Sequence, residues 1–286
     1  MNSTVTDSVR EPALVLVATP IGNMGDLSPR AVLELTEADL VACEDTRRTG
    51  KLFKQFGIPH PPFVVCNEHT EARASETIVE RIRSGGRVVL VSDAGMPGIS
   101  DPGERMVSAV VAAGFVVTAV PGPSALLAAL ATSGFSSERF VFEGFLPRKG
   151  SERSERLAEI ETERRTTIFF ESPRRMQRTL NDLLERFGPD RRIAVARELT
   201  KRYEEIWRGR LGDAVDHFGA REPRGEFVVV VDGAQPIPSS DNEILDALRS
   251  ELATGASRRD AIDAVVGGFG VRKRRVYDLA LTLVRD

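Results

Sequence analysis

The sequence predicts two α/β domains followed by a small helical extension, and three observations carry that expectation. The chain has 286 residues, about twice the length of a typical domain. Its first third alternates Val/Leu-rich runs with stretches of helical spacing, the pattern of strands joined by helical crossovers. The pattern then changes at Ser124, and again after a Pro/Ser-rich stretch at 235–240. The expected divisions are residues 12–121, 122–234 and 235–286.

In order, residues 13–18 read as a strand and 29–37 have helical spacing. Residues 39–42 are apolar again, and a short helical stretch covers 49–56. The alternation continues with a strand at 63–65, an amphipathic helix at 71–84 and a strand at 87–91. It ends with a helix at 102–113 and a strand at 115–120. The near-continuous Val/Leu content fits parallel strands buried on both faces. Beyond Ser124 an alanine-rich helix at 125–131 leads to a strand at 140–145. Further strand-like runs are 167–170, 193–196 and 227–231, with a charged segment at 151–165 and an amphipathic helix at 174–187 between them. Pro236 and Pro238 among serines mark a linker. Residues 242–286 then read as two or three short helices, the last of them basic.

The strand exits of the first half are the most informative segments. The five exits read Thr19-Pro20-Ile21-Gly22-Asn23, Glu44-Asp45-Thr46-Arg47, Asn67-Glu68-His69-Thr70-Glu71, Ser92-Asp93-Ala94-Gly95-Met96-Pro97 and Pro121-Gly122-Pro123-Ser124. Open α/β sheets bind ligands outside the carboxyl ends of their strands. Glycine and proline also make plain tight turns, but five such exits together favour a binding face.

Composition excludes several classes. Charged residues are 28% and hydrophobic residues 41% of the chain, an ordinary globular balance. No uncharged apolar run approaches the ~20 residues of a membrane span, and 1–11 lack the apolar core of a signal peptide; a cytoplasmic protein is expected. Cys43 and Cys66 make no disulfide framework, and His60, His69 and His217 have no metal-ligand spacing, so no metal is expected. There is no G-x-x-x-x-G-K-[ST] loop, no G-x-G-x-x-G after the first strand and no G-x-S-x-G elbow. The net charge of −3 leaves nucleic-acid contact to local patches: Arg47-Arg48, Arg174-Arg175, Arg191-Arg192 and the run Arg272, Lys273, Arg274, Arg275. Such doublets are also common on solvated helix faces.

The remaining chemistry is a pocket of backbone and small side chains, with Asp93 as the acid of the fourth exit. An acid there, between Ser92 and Gly95, can accept hydrogen bonds from a ligand hydroxyl or amine. An aspartate in this position also serves as a turn former or helix cap, and spacing alone leaves the two even.

Eight ordered strings carry a resemblance to a known family: V-A-T-P-I-G-N (17–23), C-E-D-T-R (43–47), V-S-D-A-G-M-P-G-I-S-D-P-G (91–103), P-G-P-S-A (121–125), E-G-F-L-P-R-K (143–149), F-F-E-S-P-R-R (169–175), A-R-E-L-T-K (196–201) and G-E-F-V-V-V-V (225–231). Together they resemble the ribosomal RNA small subunit methyltransferase I family of the tetrapyrrole (precorrin) methylase superfamily. The likeness runs from about residue 13 to 233, and the basic C-terminal helix is similar too. Two positions depart from the family pattern. Thr70 stands where an asparagine is usual, losing a combined amide donor and acceptor, and Met96 stands where a threonine is usual.

The resemblance implies an S-adenosylmethionine-dependent enzyme that methylates the ribose 2′-hydroxyl of a cytidine in 16S rRNA, with the cofactor in a cleft between the two α/β domains. It implies cofactor contacts at Ile21, Asp93, Met96, Ser124, Ala125, Phe170, Leu199 and Glu226, and a homodimer. Core packing is the ordinary use of Ile21, Ala125, Phe170 and Leu199. A 2′-hydroxyl needs a base to take its proton, and Glu44, Asp45, His69, Glu71, Glu143 and Lys149 are the candidates; sequence does not choose among them. Arg174, Arg175 and the 272–275 run are the expected RNA contacts, with 16S rRNA in the small subunit as partner. The alternatives are a C-methyltransferase of a tetrapyrrole or corrin, and a catalytically silent ribosome-binding module. The first would have no need of an appended basic helix; the second would have no need of ligand-shaped loops at 92–97 and 121–125.

Overall fold

A computed structural model describes residues 11–220, 223–235 and 240–283. Residues 1–10 and most of the expected linker, 236–239, lie outside the described residues. By packing, the chain forms two compact units, one running through Gly233 and one from Ala234.

The first unit opens with a fully parallel five-stranded sheet. Its strands are β1 (Ala13–Val17), β2 (Leu40–Cys43), β3 (Phe63–Val65), β4 (Arg87–Val91) and β5 (Val116–Val120), in the spatial order β3-β2-β4-β1-β5. The crossovers are α1 (Pro29–Thr36), α2 (Thr46–Phe56), α3 (Glu71–Arg83) and α4 (Glu104–Ala112). Successive strand residues point to opposite faces, and each face meets its own pair of helices. Val15, Val17 and Val89 pack with Leu35 of α1 and Phe53 of α2. Leu14, Val88 and Leu90 pack with Ile78 of α3 and Met106 of α4. This two-sided burial explains why these strands carry no polar alternation.

The strand order decides where a ligand can enter. From β1 the chain passes over β4 to reach β2, whereas from β4 it passes over β1 to reach β5. The two connections leave neighbouring strands in opposite directions and on opposite faces, so a crevice opens between the ends of β1 and β4.

The second sheet is mixed. β6 (Phe140–Phe145), β7 (Thr166–Glu171), β8 (Arg192–Arg197), β9 (Glu205–Arg210) and β10 (Phe227–Val231) take the order β6-β7-β10-β8-β9, with only β6 and β7 parallel. One face is covered by α5 (Ala125–Ser133), through Ala129 and Leu130. The other is covered by α6 (Gly150–Thr162), α7 (Pro173–Phe187) and α8 (Leu211–Gly219).

Three features differ from the sequence reading. The charged segment at 151–165 is mostly the helix α6; its Arg153 is buried, bonded to Asp182 and Thr179. Strand β9 and helix α8 were not expected. Arg208, Gly209 and Arg210 dilute the apolar signal of an edge strand that pairs on one side only. Helix α2 also begins three residues before its apolar spacing suggests, because caps set helix starts: Asp45 caps it through the Arg47 amide.

The second unit contains α9 (Asp241–Ala253), α10 (Arg258–Phe269) and α11 (Lys273–Thr282) around Ile244, Leu248, Ile262 and Val276. Ser240 and Glu243 form a reciprocal capping box at the start of α9.

Candidate functional site

The crevice between β1 and β4 is sealed at its base by backbone. Thr19 and Gly95 exchange two hydrogen bonds, 2.9 and 3.0 Å, and the Thr19 hydroxyl donates to the Ser92 carbonyl at 3.1 Å. Beyond this clamp the β1 exit reaches the β8 exit of the second sheet. A Cβ at Gly22 would lie 2.4 Å from Lys201 Cγ and 2.9 Å from Thr200 Oγ1, so only glycine permits that approach. A similar contact joins the other side of the cleft, where a Cβ on Gly144 of β6 would sit 3.1 Å from Ser100 Oγ.

Between these contacts lies a cavity of about 290 Å³. The first half contributes Ile21, Ala94, Ser100 and Asp101; the second half contributes Ala125, Phe145, Phe170, Leu199, Glu226 and Val228. Ser172 and Pro173, which open α7, complete the wall beside Glu171. Phe170 packs edge-on against Phe142 and Phe145, with ring centroids 5.0 and 5.6 Å away. The wall is thus apolar on one side, with the first turns of α5 and α7 at the rim.

Backbone strain concentrates here. Among the described residues, the non-glycine residues at positive φ are Ser100, Glu198 and Thr200. Ser100 lines the cavity, and the other two bracket Leu199, which also lines it. A left-handed residue that is not glycine costs about 1–2 kcal/mol, and such strain clusters at functional sites.

Acidic groups gather at the β2 and β4 exits. Asp93 meets Arg48 at 3.1 Å, while its other oxygen, Oδ1, is buried with no hydrogen-bond partner. Burial pushes the Asp93 carboxyl above its ordinary range, against the pull of Arg48. Burial likewise raises Glu44, and the Asp93 charge adds to it. Asp101 is pushed up to about 6 by burial and by the charges of Glu44 and Asp93, opposed by a hydrogen bond from Ser92. Desolvation and like-charge crowding both disfavour the ionised form. No group of His, Cys, Asp and Glu arranged to hold a metal ion occurs among the described residues.

The expected cofactor residues fall into two sets. Ile21, Ala125, Phe170, Leu199 and Glu226 border the cavity. Asp93 precedes Ala94 in its wall, and Ser124 caps α5, accepting from the Leu127 amide. Met96 is half-buried in the same exit loop, outside the wall itself.

The base candidates are scattered in role. Asp45 is committed to α2 and to a fork with Arg47, whose guanidinium holds its carboxyl far below the usual range. Glu143 is paired with Arg156 at 2.8 Å. His69 and Lys149 are exposed, and neither borders the cavity. Glu71 is a correction. It is buried, and its Oε1 accepts the amides of Gly103, Arg105 and Met106 at 2.9, 2.9 and 3.3 Å. That oxygen caps α4, and Glu71 does not border the cavity.

Arg175 is corrected on similar grounds. It pairs with the buried Glu171 at 3.1 Å and donates to the Leu146 carbonyl at 2.6 Å, so its guanidinium is engaged in bracing the cavity wall. Arg174 is exposed. In the second unit, Lys273 pairs with Asp263 and Arg275 with Asp241, whereas Arg272 and Arg274 make no ion pair with a described residue.

Asp101, Ser100 and Glu171 were missed by sequence. Ser100-Asp101 repeats the Ser92-Asp93 pair eight residues on, but the Pro-Gly after it reads as a helix start. A wider recess, of about 690 Å³, lies among Arg197, Glu205, His217 and Arg224; none of the residues expected from sequence borders it.

The family described as Tetrapyrrole (Corrin/Porphyrin) Methylases matches residues 13–215. The chain is 44% identical over 276 residues to ribosomal RNA small subunit methyltransferase I of Synechocystis, covering 96% of this chain and 99% of that one. It is 45% identical to the protein of the same name from Mycobacterium bovis, covering 96% of each. Solved structures with the same fold include the methyltransferase CobJ, with a TM-score of 0.58 at 23% identity over 81% of this chain and 98% of that one. Diphthine synthase gives a TM-score of 0.57 at 16% identity, over 77% and 89%. The extent and identity of these matches establish that the chain belongs to the tetrapyrrole methylase family, within its ribosomal RNA small subunit methyltransferase I branch.

Proposed function

We propose that the protein transfers the methyl group of S-adenosylmethionine to the ribose 2′-hydroxyl of a cytidine in 16S rRNA, with the assembled small subunit as substrate. One observation carries the site assignment. A cavity at the crossing of the β1 and β4 connections has an apolar wall that faces Asp101, and Asp93, whose Oδ1 is buried with no hydrogen-bond partner, directly precedes Ala94 of that wall. Those residues fit a ligand that is apolar at one end and cationic at the other. Ile21, Phe170, Leu199 and Val228 would hold the adenosine, and Asp93 would accept from the ammonium of the methionine moiety. When bound, the cofactor supplies an activated methyl group on a sulfonium.

The chain's own part is alignment, exclusion of water and removal of one proton. Phe145 and Phe170 dry one side of the cavity, and the Gly22 and Gly144 contacts fix the two halves against each other, which pre-organises the reacting geometry. A carboxylate of raised pKa suits removal of the hydroxyl proton near neutral pH.

RNA contact falls to short basic patches, because the chain carries a net charge of −3. Arg174 and the 272–275 run supply them, with Arg272 and Arg274 the freest. A cytoplasmic homodimer completes the reading. Its interface would draw on exposed apolar side chains of the second α/β half, Leu127, Phe140 and Phe145, and light scattering at micromolar concentration should give a dimer mass. No helix among the described residues is long and apolar enough to cross a membrane.

The test is transfer of labelled methyl to small subunits from a strain lacking the protein. The label should appear on a cytidine ribose. Transfer to a tetrapyrrole and not to subunits would replace this reading with the small-molecule one.

A further inference from the structure

We propose that the basic lip of the cavity, Arg148 and Lys149 after β6 with Arg178 on α7, joins Arg174 in holding the RNA strand on either side of the methylated ribose, its phosphates lying on these four cations. The inference rests on the methyl-transfer reading above and assigns the surface along which that substrate reaches the cavity.

Charge and position come first. Residues 145–152 and 172–178 carry five cations, Arg148, Lys149, Arg174, Arg175 and Arg178, against one acid, Glu152. Both segments begin in the cavity wall, with Phe145 in the first and Ser172 and Pro173 in the second. Arg175 is engaged by Glu171. Arg148, Lys149 and Arg174 are exposed and make no ion pair with a described residue. Arg178 is 60% exposed and stands 3.8 Å from Asp182, a carboxylate that Arg153 already holds at 2.8 Å. A long, solvated pairing of this kind is worth little, so the charge of Arg178 remains available to a second anion.

The lip is braced from behind. Three successive carbonyls of the loop between β6 and α6 accept from guanidinium groups of the neighbouring helices: Leu146 from Arg175 at 2.6 Å, Pro147 from Arg153 at 2.9 Å and Arg148 from Arg178 at 3.4 Å. The last bond brings Arg148 beside Arg178, and Arg174 lies one turn before Arg178 on the exposed face of α7. A surface ordered in advance loses little entropy on binding. The sign of the charge identifies the occupant. The cofactor carries a sulfonium, which clustered cations repel, so the lip does not serve it. A ribose delivered into the cavity brings its 5′ and 3′ phosphates to the mouth, and phosphate contacts are what position a nucleic acid. An unpaired stretch of RNA, whose nucleotides can be splayed out, is the form that enters.

The experiment uses the full-length protein with small subunits and labelled S-adenosylmethionine across a salt series. The triple variant Arg148→Ala, Lys149→Ala, Arg178→Ala should raise KM for subunits about tenfold and lower the slope of log KM against log salt by about 2, with kcat little changed. Its affinity for S-adenosylhomocysteine in calorimetry should stay within about threefold of wild type, which also reports an intact fold. Lys149→Ala alone, which breaks no bond to a described residue, should lower the slope by about 0.7 and carries the same test should the triple variant not fold. Neutralising Arg81 and Arg83, in the last turn of α3 at the opposite end of the first sheet, should leave KM unchanged. A photocrosslinking residue in place of Lys149 should join to 16S rRNA. An unchanged KM and salt slope in a folded lip variant overturns the proposal, as does an equal rise from the α3 pair, which would make it an effect of net charge. A fall in kcat with KM unchanged gives the lip a part in the chemistry and overturns it too. So does a crosslink to a ribosomal protein or to a second copy of this chain in place of rRNA. Wild-type protein that fails to methylate subunits at all refutes the underlying reading instead.

Discussion

Replacing Asp101 with asparagine should stabilise the folded protein above pH 6, and the size of the gain can be worked from its surroundings. The carboxyl is raised from 3.8 to about 6 by burial and by the charges of Glu44 and Asp93. Roughly two pK units at 1.36 kcal/mol each give a ceiling of about 3 kcal/mol. Asp101 is only half-buried, so solvent screening reduces this to about 1–2 kcal/mol. The sign is set by proton linkage. Between about pH 4 and 6 the folded protein holds a proton that the unfolded chain has released, so the wild type loses stability as pH rises through this window. Asparagine does not titrate. Urea unfolding of the two proteins at pH 4, 5, 6 and 7.5 should therefore show midpoints that nearly coincide at pH 4 and separate progressively, the variant being more stable at 7.5. A midpoint difference that is constant with pH, or a variant less stable at pH 7.5, would refute the electrostatic reasoning about this cluster.

Asp93→Ala should weaken S-adenosylmethionine binding by about 1–3 kcal/mol in calorimetry, the cost of losing a charge-assisted contact; unchanged affinity in a folded variant removes Asp93 from the site. Glu71→Ala strands three amides at the start of α4, which should cost about 1–3 kcal/mol in thermal or urea unfolding, and Glu71→Gln should restore part of it by keeping an acceptor oxygen. Neutralising Arg272, Lys273, Arg274 and Arg275 together should raise KM for small subunits and flatten its salt dependence without changing cofactor affinity. Normal methylation by that variant across a salt series would exclude the helix as an RNA contact.

Some of the site could be read from sequence because local chemistry made it visible. The five exits stood out as Gly, Pro, Ser and Asp clusters directly after apolar runs, and Ile21, Ala125, Phe170, Leu199 and Glu226 do border one cavity. The roles of the charged residues could not be read in the same way. Glu71 looks like any acid after a strand until α4 is seen to place three amides on one of its oxygens. Arg174 and Arg175 are adjacent in sequence, yet one is exposed and the other is held by Glu171 and Leu146. Asp101 sits in an Asp-Pro-Gly that resembles a helix start, and only the approach of Phe145 and Phe170 makes it part of a wall.

The sequence by itself determined the five strands of the first sheet and their crossovers, because strands buried on both faces must be continuously apolar and helices between them must be amphipathic. It also determined the family, since eight ordered strings leave little room for chance. Tertiary structure alone decided the strand order β3-β2-β4-β1-β5, and with it the crevice, because the sides on which crossovers pass are set by long-range packing. It likewise decided which carboxylate is capped, which is paired and which faces the cavity. Those fates depend on residues 32 to 35 positions away for Glu71 and 45 positions away for Asp93 and Arg48, distances over which no local pattern carries the information.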